Sequence, residues 1–402
     1  MWLRLWNFLR AGALDVHLKE TTRGSDNCCH HVVTIVVTIE ATGRLFNSLP
    51  PMKSFEERGL PALSLDHDLM RSVGRLHEYR GREQLYTQQA RQSLDTLREV
   101  AVVRSAESSN RIEGVEAAPE RIKKLMDESA APETRSEQAI AGYRDVLNTI
   151  HTRHEDIELS SGVVRQFHRD LFKYTSRRGG DWKSASNDII EQHPDGREVV
   201  RFKTVSPHRT PDYMKTLHDR FGRAWAEKEV DSLLLIAAYV LDFLCIHPFR
   251  DGNGRMARLL TLLLLYRADY GVGQYISVEK LVEDSRESYY DTLHRSSQGW
   301  HEGNHDLRPW TDYFLGTLLA AYEEFEDRVG ELRTQRGAKT QRILDAVKEL
   351  PDGFKTRDVE ELCPSVSRSL IRKVFNELKE QRRIKAEGRG PAAVWRKIGE
   401  YG

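Results

Sequence analysis

The sequence predicts a mainly α-helical protein of more than one domain, and three patterns point there. From about residue 66 to 330 apolar residues recur at helical spacing, as in Ile122, Leu125 and Met126, then Ile140, Tyr143, Val146, Leu147 and Ile150. That periodicity breaks between Gly179 and Thr204, where Ile189-Ile190 and Val199-Val200 with Phe202 flank His193-Pro-Asp-Gly196, which reads as a β-hairpin. Residues 341–398 then read helix, helix, helix, basic hairpin, the order of a small winged-helix domain.

Taken along the chain, residues 1–51 form an uncertain extension. They carry Cys28-Cys29, His30-His31 and a β-type run without an evident partner, and Met52 opens more ordinary composition, so an over-long start is expected there. Residues 52–155 are an N-terminal helical region and 156–332 a helical core. Within that core, Thr210-Pro211 restarts a helix after the hairpin, proline suiting the first helical turn. A polar, helix-compatible stretch, Arg333 to Thr340, follows Leu332 and marks the expected boundary to a C-terminal domain, 338–402. There Ile343, Leu344, Val347 and Leu350 give one helix, Pro351-Asp-Gly353 a turn, and Thr356 a second helix. A third helix begins near Ser365–Ser367, and a hairpin around Gly388–Pro391 closes at Val394-Trp395.

Composition limits the function classes. Lys plus Arg equals Asp plus Glu at 61 each, so no whole-chain charge favours nucleic acid or membrane. Four cysteines lack zinc or redox spacing, which fits a reducing, cytoplasmic compartment. The apolar runs 32–39 and 259–265 fall far short of the roughly 20 residues that span a bilayer.

The chemistry concentrates in one segment. Ser232 to Ile246 is apolar on nearly every side and reads as a buried helix that delivers His247 at its end. Asp251-Gly-Asn-Gly254 turns tightly into another apolar helix, and a glycine-rich turn into a helix N-terminus suits an anion. Gly252 and Gly254 let the backbone approach phosphate oxygens. Asp251 is placed to hold Mg²⁺ beside a nucleotide triphosphate. Arg255 and Arg258 share one helix face, where both reach successive phosphates. His247 can take a proton from an attacking hydroxyl. Asp-Gly-Asn-Gly alone is equally a common turn or half of a calcium loop, though the glutamate that would close a calcium loop is missing.

His247-Pro-Phe249-Arg-Asp251-Gly252-Asn253-Gly254-Arg255-Met-Ala-Arg258 resembles the signature of the Fic family at every specified position. The resemblance implies a Fic-type helical core with a β-hairpin flap, in which Phe249 anchors the loop and Asn253 joins the glycines in holding phosphates. It implies a protein adenylyltransferase, moving AMP from ATP onto a Ser, Thr or Tyr hydroxyl of a target protein with Mg²⁺ as cofactor. The intact glycines argue against the orientation of family members that phosphorylate. Ser109, Glu113 and Gly114 resemble the family's inhibitory motif, with Glu113 expected to pair bidentately with Arg258 and exclude the γ-phosphate. The hairpin would be the target-aligning flap, with Ile189 and Ile190 as clamp residues, and Tyr289 and Tyr290 are candidate adenine contacts.

Two other functions compete: removal of AMP using Glu113, and a nucleotide-sensing regulator that binds DNA through Arg368, Arg372 and Lys373. A homodimer is compatible with each.

Overall fold

Helical periodicity becomes buried packing wherever an apolar stripe meets another. The computed structural model describes residues 52–56, 59–89, 91–192, 197–364, 366–388 and 393–398. The 1–51 extension and the hairpin turn at 193–196 lie outside them. Its helices are α1 (His67–Gln89), α2 (Arg91–Ile112), α3 (Pro119–Met126), α4 (Arg135–Arg153), α5 (Ser161–Leu171), α6 (Thr210–Glu227), α7 (Ser232–Ile246), α8 (Asn253–Arg267), α9 (Val278–Asp284), α10 (Arg286–Ser297), α11 (Arg308–Glu349), α12 (Thr356–Leu362) and α13 (Arg368–Glu380).

The middle of the core is α7, capped at its start by the Asp231 carboxylate accepting from Leu233 N at 2.9 Å. Leu233, Leu235, Ile236, Ala237, Tyr239 and Phe243 are all at most 1% exposed. A helix apolar all round needs cover on every side, and α6, α8 and α11 supply it. Truncating such a leucine to alanine costs about 2–5 kcal/mol, so the segment carrying His247 is rigidly held. The stripe Ile140, Tyr143, Val146, Leu147 and Ile150 of α4 is likewise buried, against α2, α3, α5 and α8.

The break in periodicity is a two-stranded antiparallel hairpin, β1 (Ile189–Gln192) and β2 (Glu198–Phe202), pairing Ile190 with Val200 and bulged between Ile189 and Ile190. At the C-terminal end, β3 (Phe354–Lys355), β4 (Ile384–Glu387) and β5 (Val394–Lys397) form a sheet in the order β3-β5-β4. It covers a second core of Ile343, Val347, Phe354, Ile371, Phe375, Leu378 and Ile384.

The polar connection expected at Arg333–Thr340 is helical. Its residues all tolerate helix, Gly337 at a cost of about 1 kcal/mol, so α11 runs unbroken from Arg308 to Glu349. This one helix gives Leu315, Leu318 and Tyr322 to the first core and Ile343 and Val347 to the second. Among the described residues no helix is long and apolar enough to cross a membrane.

Candidate active site

His247 ends α7 in the left-handed region, φ +51°, a conformation sparsely used by side-chain-bearing residues. Its Nδ1 lies 3.3 Å from the Leu244 carbonyl. A carbonyl can only accept, so Nδ1 carries the proton and Nε2 keeps its lone pair. Burial pushes the ring's pKa down to about 4, against the Leu244 hydrogen bond and with Lys183 adding to the shift.

The turn after His247 is locked from inside. Phe249 is fully buried, and His168 stacks on it with centroids 3.7 Å apart and rings within 2° of parallel. His168 Nδ1 accepts from Gly180 N at 2.8 Å, which leaves Nε2–H to donate to the Asp251 carbonyl at 3.0 Å. The buried side chain of Asn253 does not face the anion site. Its Oδ1 accepts from Phe249 N at 2.9 Å and its Nδ2 donates to Phe249 O at 2.7 Å. The side chain expected to hold phosphate is instead occupied in closing the turn. Gly252 has φ +81°, and a Cβ there would stand 3.0 Å from the Phe172 ring.

Among the described residues no side chain caps the start of α8, so its first N–H groups and dipole remain for an anion. Behind them lie two buried guanidiniums. Arg255 Nε and Arg258 Nη1 have no hydrogen-bond partner among the described residues, which is what a missing anionic partner leaves behind. Asp251 supplies one half-exposed carboxylate; Oδ1 accepts from Gly252 N at 2.7 Å and Oδ2 from Arg177 at 2.6 Å. Among the described residues no three acidic, histidine or cysteine side chains cluster as a metal cage. A lone carboxylate fits Mg²⁺, which takes its other ligands from phosphate and water.

Glu113 sits just past the end of α2, where Gly114 turns the chain at φ +74°. Its Oε1 accepts from Arg258 at 2.8 Å. The pair is single, not bidentate as expected: only Nη2 reaches Glu113, and the same Nη2 also donates to Ser109 O while Nε donates to Ser109 Oγ, both at 2.8 Å, which leaves Nη1 without a partner among the described residues. A Cβ on residue 254 would lie 2.2 Å from Glu113 Oε1, so Gly254 is what lets the carboxylate reach α8.

Residues 158–265 match the Fic/DOC family. The chain contains a Fic domain. Its curated relatives include "Protein adenylyltransferase fic-1" of Caenorhabditis elegans, 31% identical over 140 residues, 34% of this chain and 24% of that one. The same-named protein of Caenorhabditis briggsae is 35% identical over 143 residues, 35% of this chain and 24% of that one. The chain thus spans about a quarter of the length of these relatives. A solved Fic family protein from Desulfovibrio desulfuricans G20 superposes with a TM-score of 0.55 at 21% identity, covering 84% of this chain and 98% of the other. At that identity the likeness speaks for the fold.

Within the matched region, two side chains that the sequence did not single out, Lys183 and Asn187, hold the turn around His247. Lys183, buried, donates from Nζ to Asn187 Oδ1 at 2.8 Å, Thr204 Oγ1 at 2.9 Å and Ile246 O at 3.0 Å, while its backbone N reaches Pro248 O at 2.8 Å. Asn187 Nδ2 donates to His247 O at 3.2 Å and Phe249 O at 2.6 Å. Burial pushes Lys183 down to about 8. The base of the flap hairpin is thereby hydrogen-bonded to the residues on both sides of His247. A lone lysine in a polar stretch carries no signal of this.

The hairpin side chains, Ile189 and Ile190 among them, face outward: Ile189, Ile190, Val199 and Val200 are 38–57% exposed. Tyr289 is buried among Trp310, Tyr313 and Tyr290 and lines a small cavity with Arg258, whereas Tyr290 is 43% exposed with Arg286 over its ring. On α13 the basic residues are only partly compensated. Arg368 pairs with Glu360 at 2.7 Å and Lys373 with Glu377 at 3.9 Å, and Arg372 is exposed.

Proposed function

We propose that the chain is an autoinhibited, Mg²⁺-dependent protein adenylyltransferase that moves AMP from ATP to a serine, threonine or tyrosine hydroxyl of a target protein. The observation that carries this is a neutral His247 with Nε2 free, held beside a helix start backed by two incompletely partnered buried guanidiniums. The target hydroxyl oxygen attacks the α-phosphorus while its proton passes to His247 Nε2. The bond from α-phosphorus to the bridging oxygen breaks, and pyrophosphate departs with the electron pair. The start of α8 and Arg255 meet the charge that develops on the phosphoryl oxygens. Asp251 would hold Mg²⁺, which neutralises charge on the triphosphate.

Autoinhibition follows from Glu113. Its carboxylate occupies Arg258 and puts negative charge where the γ-phosphate would dock. ATP then binds only with its α-phosphate misaligned, and orientation is worth several kcal/mol in such a step. The C-terminal helices and sheet are read as a winged helix, in which Arg368 is paired with Glu360 while Arg372 is exposed. Incubation with ATP labelled at the α-phosphate tests the reading. Label on protein that His247→Ala abolishes is the expected result, and label that persists in that variant would refute it.

A further inference from the structure

Beside the catalytic loop lies a polar cavity of about 540 Å³ that includes Arg135, Arg177, Arg255, Glu113 and Asp251 in its lining. Of its three cations, Arg255 belongs to the family signature; the other two do not. Arg177 holds the Asp251 carboxylate at 2.6 Å, on the oxygen that Gly252 leaves open. Its backbone is fixed by Thr175, whose Oγ1 accepts from Arg177 N at 3.3 Å, and its side chain is half-exposed, tied to Asp251 by a single ion pair. Arg135 opens α4, where a cation opposes the helix dipole, and it has no ion-pair partner among the described residues. Arg135 is exposed to solvent on the cavity wall, within the space an anion in the cavity would share.

We propose that Arg177 is an exchange residue and the cavity a pyrophosphate site: Arg177 holds Asp251 until a divalent cation takes that carboxylate, then turns with Arg135 onto the β- and γ-phosphoryl groups and the departing pyrophosphate. The inference rests on the transferase reading for its ligand but not on catalysis for its test. A cation binding Asp251 must first displace a competing positive charge, and the guanidinium it releases gains a partner only if polyphosphate is present. Metal and polyphosphate binding are therefore coupled, each raising the affinity for the other by the same factor. Because the Arg177–Asp251 pair is about half-exposed, its contribution is modest, corresponding to about fivefold in binding.

The test is binding by the full chain. Mn²⁺ uptake is read by electron paramagnetic resonance, and inorganic pyrophosphate by calorimetry with Mn²⁺ present, the latter in a Glu113→Gly background to remove the opposing carboxylate. Arg177→Gln should bind Mn²⁺ alone about fivefold more tightly and pyrophosphate about fivefold more weakly. Arg177→Lys should fall between, and Arg135→Gln should weaken pyrophosphate without changing Mn²⁺ alone. Unchanged Mn²⁺ affinity in Arg177→Gln, or unchanged pyrophosphate affinity, would overturn the proposal, as would a parallel loss of both with a lowered Tm. Binding that behaves as expected in a chain that transfers no AMP would remove the transferase reading and leave the exchange standing.

Discussion

Replacing Glu113 with glycine should raise AMP transfer by about 10- to 100-fold. The inhibitory contact is one charge-assisted hydrogen bond, Arg258 to Glu113 Oε1 at 2.8 Å, on a guanidinium that is 6% exposed. Such a bond contributes about 1.5–3 kcal/mol, and each 1.4 kcal/mol is a factor of ten. The glutamate side chain is 32% exposed, which moves the expectation toward the lower figure. Removing it does not orphan Arg258, since both Ser109 bonds remain, so Tm should fall by no more than a few degrees. Glu113→Gln separates charge from occupancy: it should give intermediate activity, because an amide still fills the space beside Gly254 without repelling phosphate. Glu113→Asp should stay partly inhibited, its charge surviving at shorter reach. The assay follows α-labelled ATP into protein, with self-modification as the first product. Labelling unchanged in Glu113→Gly, with fold and ATP affinity retained, would refute the reasoning.

Further outcomes follow from the same geometry. His247→Ala should lower transfer by about 10²–10⁴ with ATP affinity nearly unchanged, since the ring serves the hydroxyl and not the phosphates; a parallel loss of affinity in calorimetry would contradict this. The acid limb of the rate profile should fall near pH 4 and not near 6.5, because burial depresses His247 in the folded chain. The unfolded chain takes up that proton first, so stability from neutral His247 is present above pH 6.5 and lost as pH falls through about 4, which thermal unfolding across that window checks. Asn253→Ala removes both bonds to the buried Phe249 backbone and should destabilise by about 2–4 kcal/mol, seen as a lowered Tm. Gly254→Ala drives a methyl into Glu113, so its loss of Tm should be largely relieved in the Glu113→Gly background; additive losses would count against the contact.

Within the catalytic segment, most of the site could be read from residue order. The buried helix that delivers His247 at its end, the glycine turn and the new helix are local events, fixed by apolar periodicity and by residues within a dozen positions of one another, whereas the left-handed φ of His247 is seen only in the structure. Asn253 shows the limit of such reading. The sequence places it in the loop, where the structure makes it the first residue of α8, and the direction of its amide depends on the Phe249 backbone groups becoming unreachable to water once Phe249 is buried. The continuity of α11 shows another: a polar, glycine-containing stretch is compatible with either linker or helix, and two cores at its ends settled the matter.

The sequence by itself determined the helical class, the hairpin strands and the twelve-residue run that carries the chemistry, because propensity, periodicity and turn geometry act over short separations. Tertiary structure alone decided which distant residues meet that run. Glu113 and Ser109 reach Arg258 from 145 and 149 positions away, Arg177 reaches Asp251 from 74, and His168 reaches it from 83. Lys183, one ordinary lysine among many, becomes the hub beneath His247 because folding buries its ammonium against the Ile246 carbonyl and two polar side chains. Nothing local distinguishes these residues from solvated surface charge, since the energy that fixes them arises only when burial removes water and leaves one partner within reach.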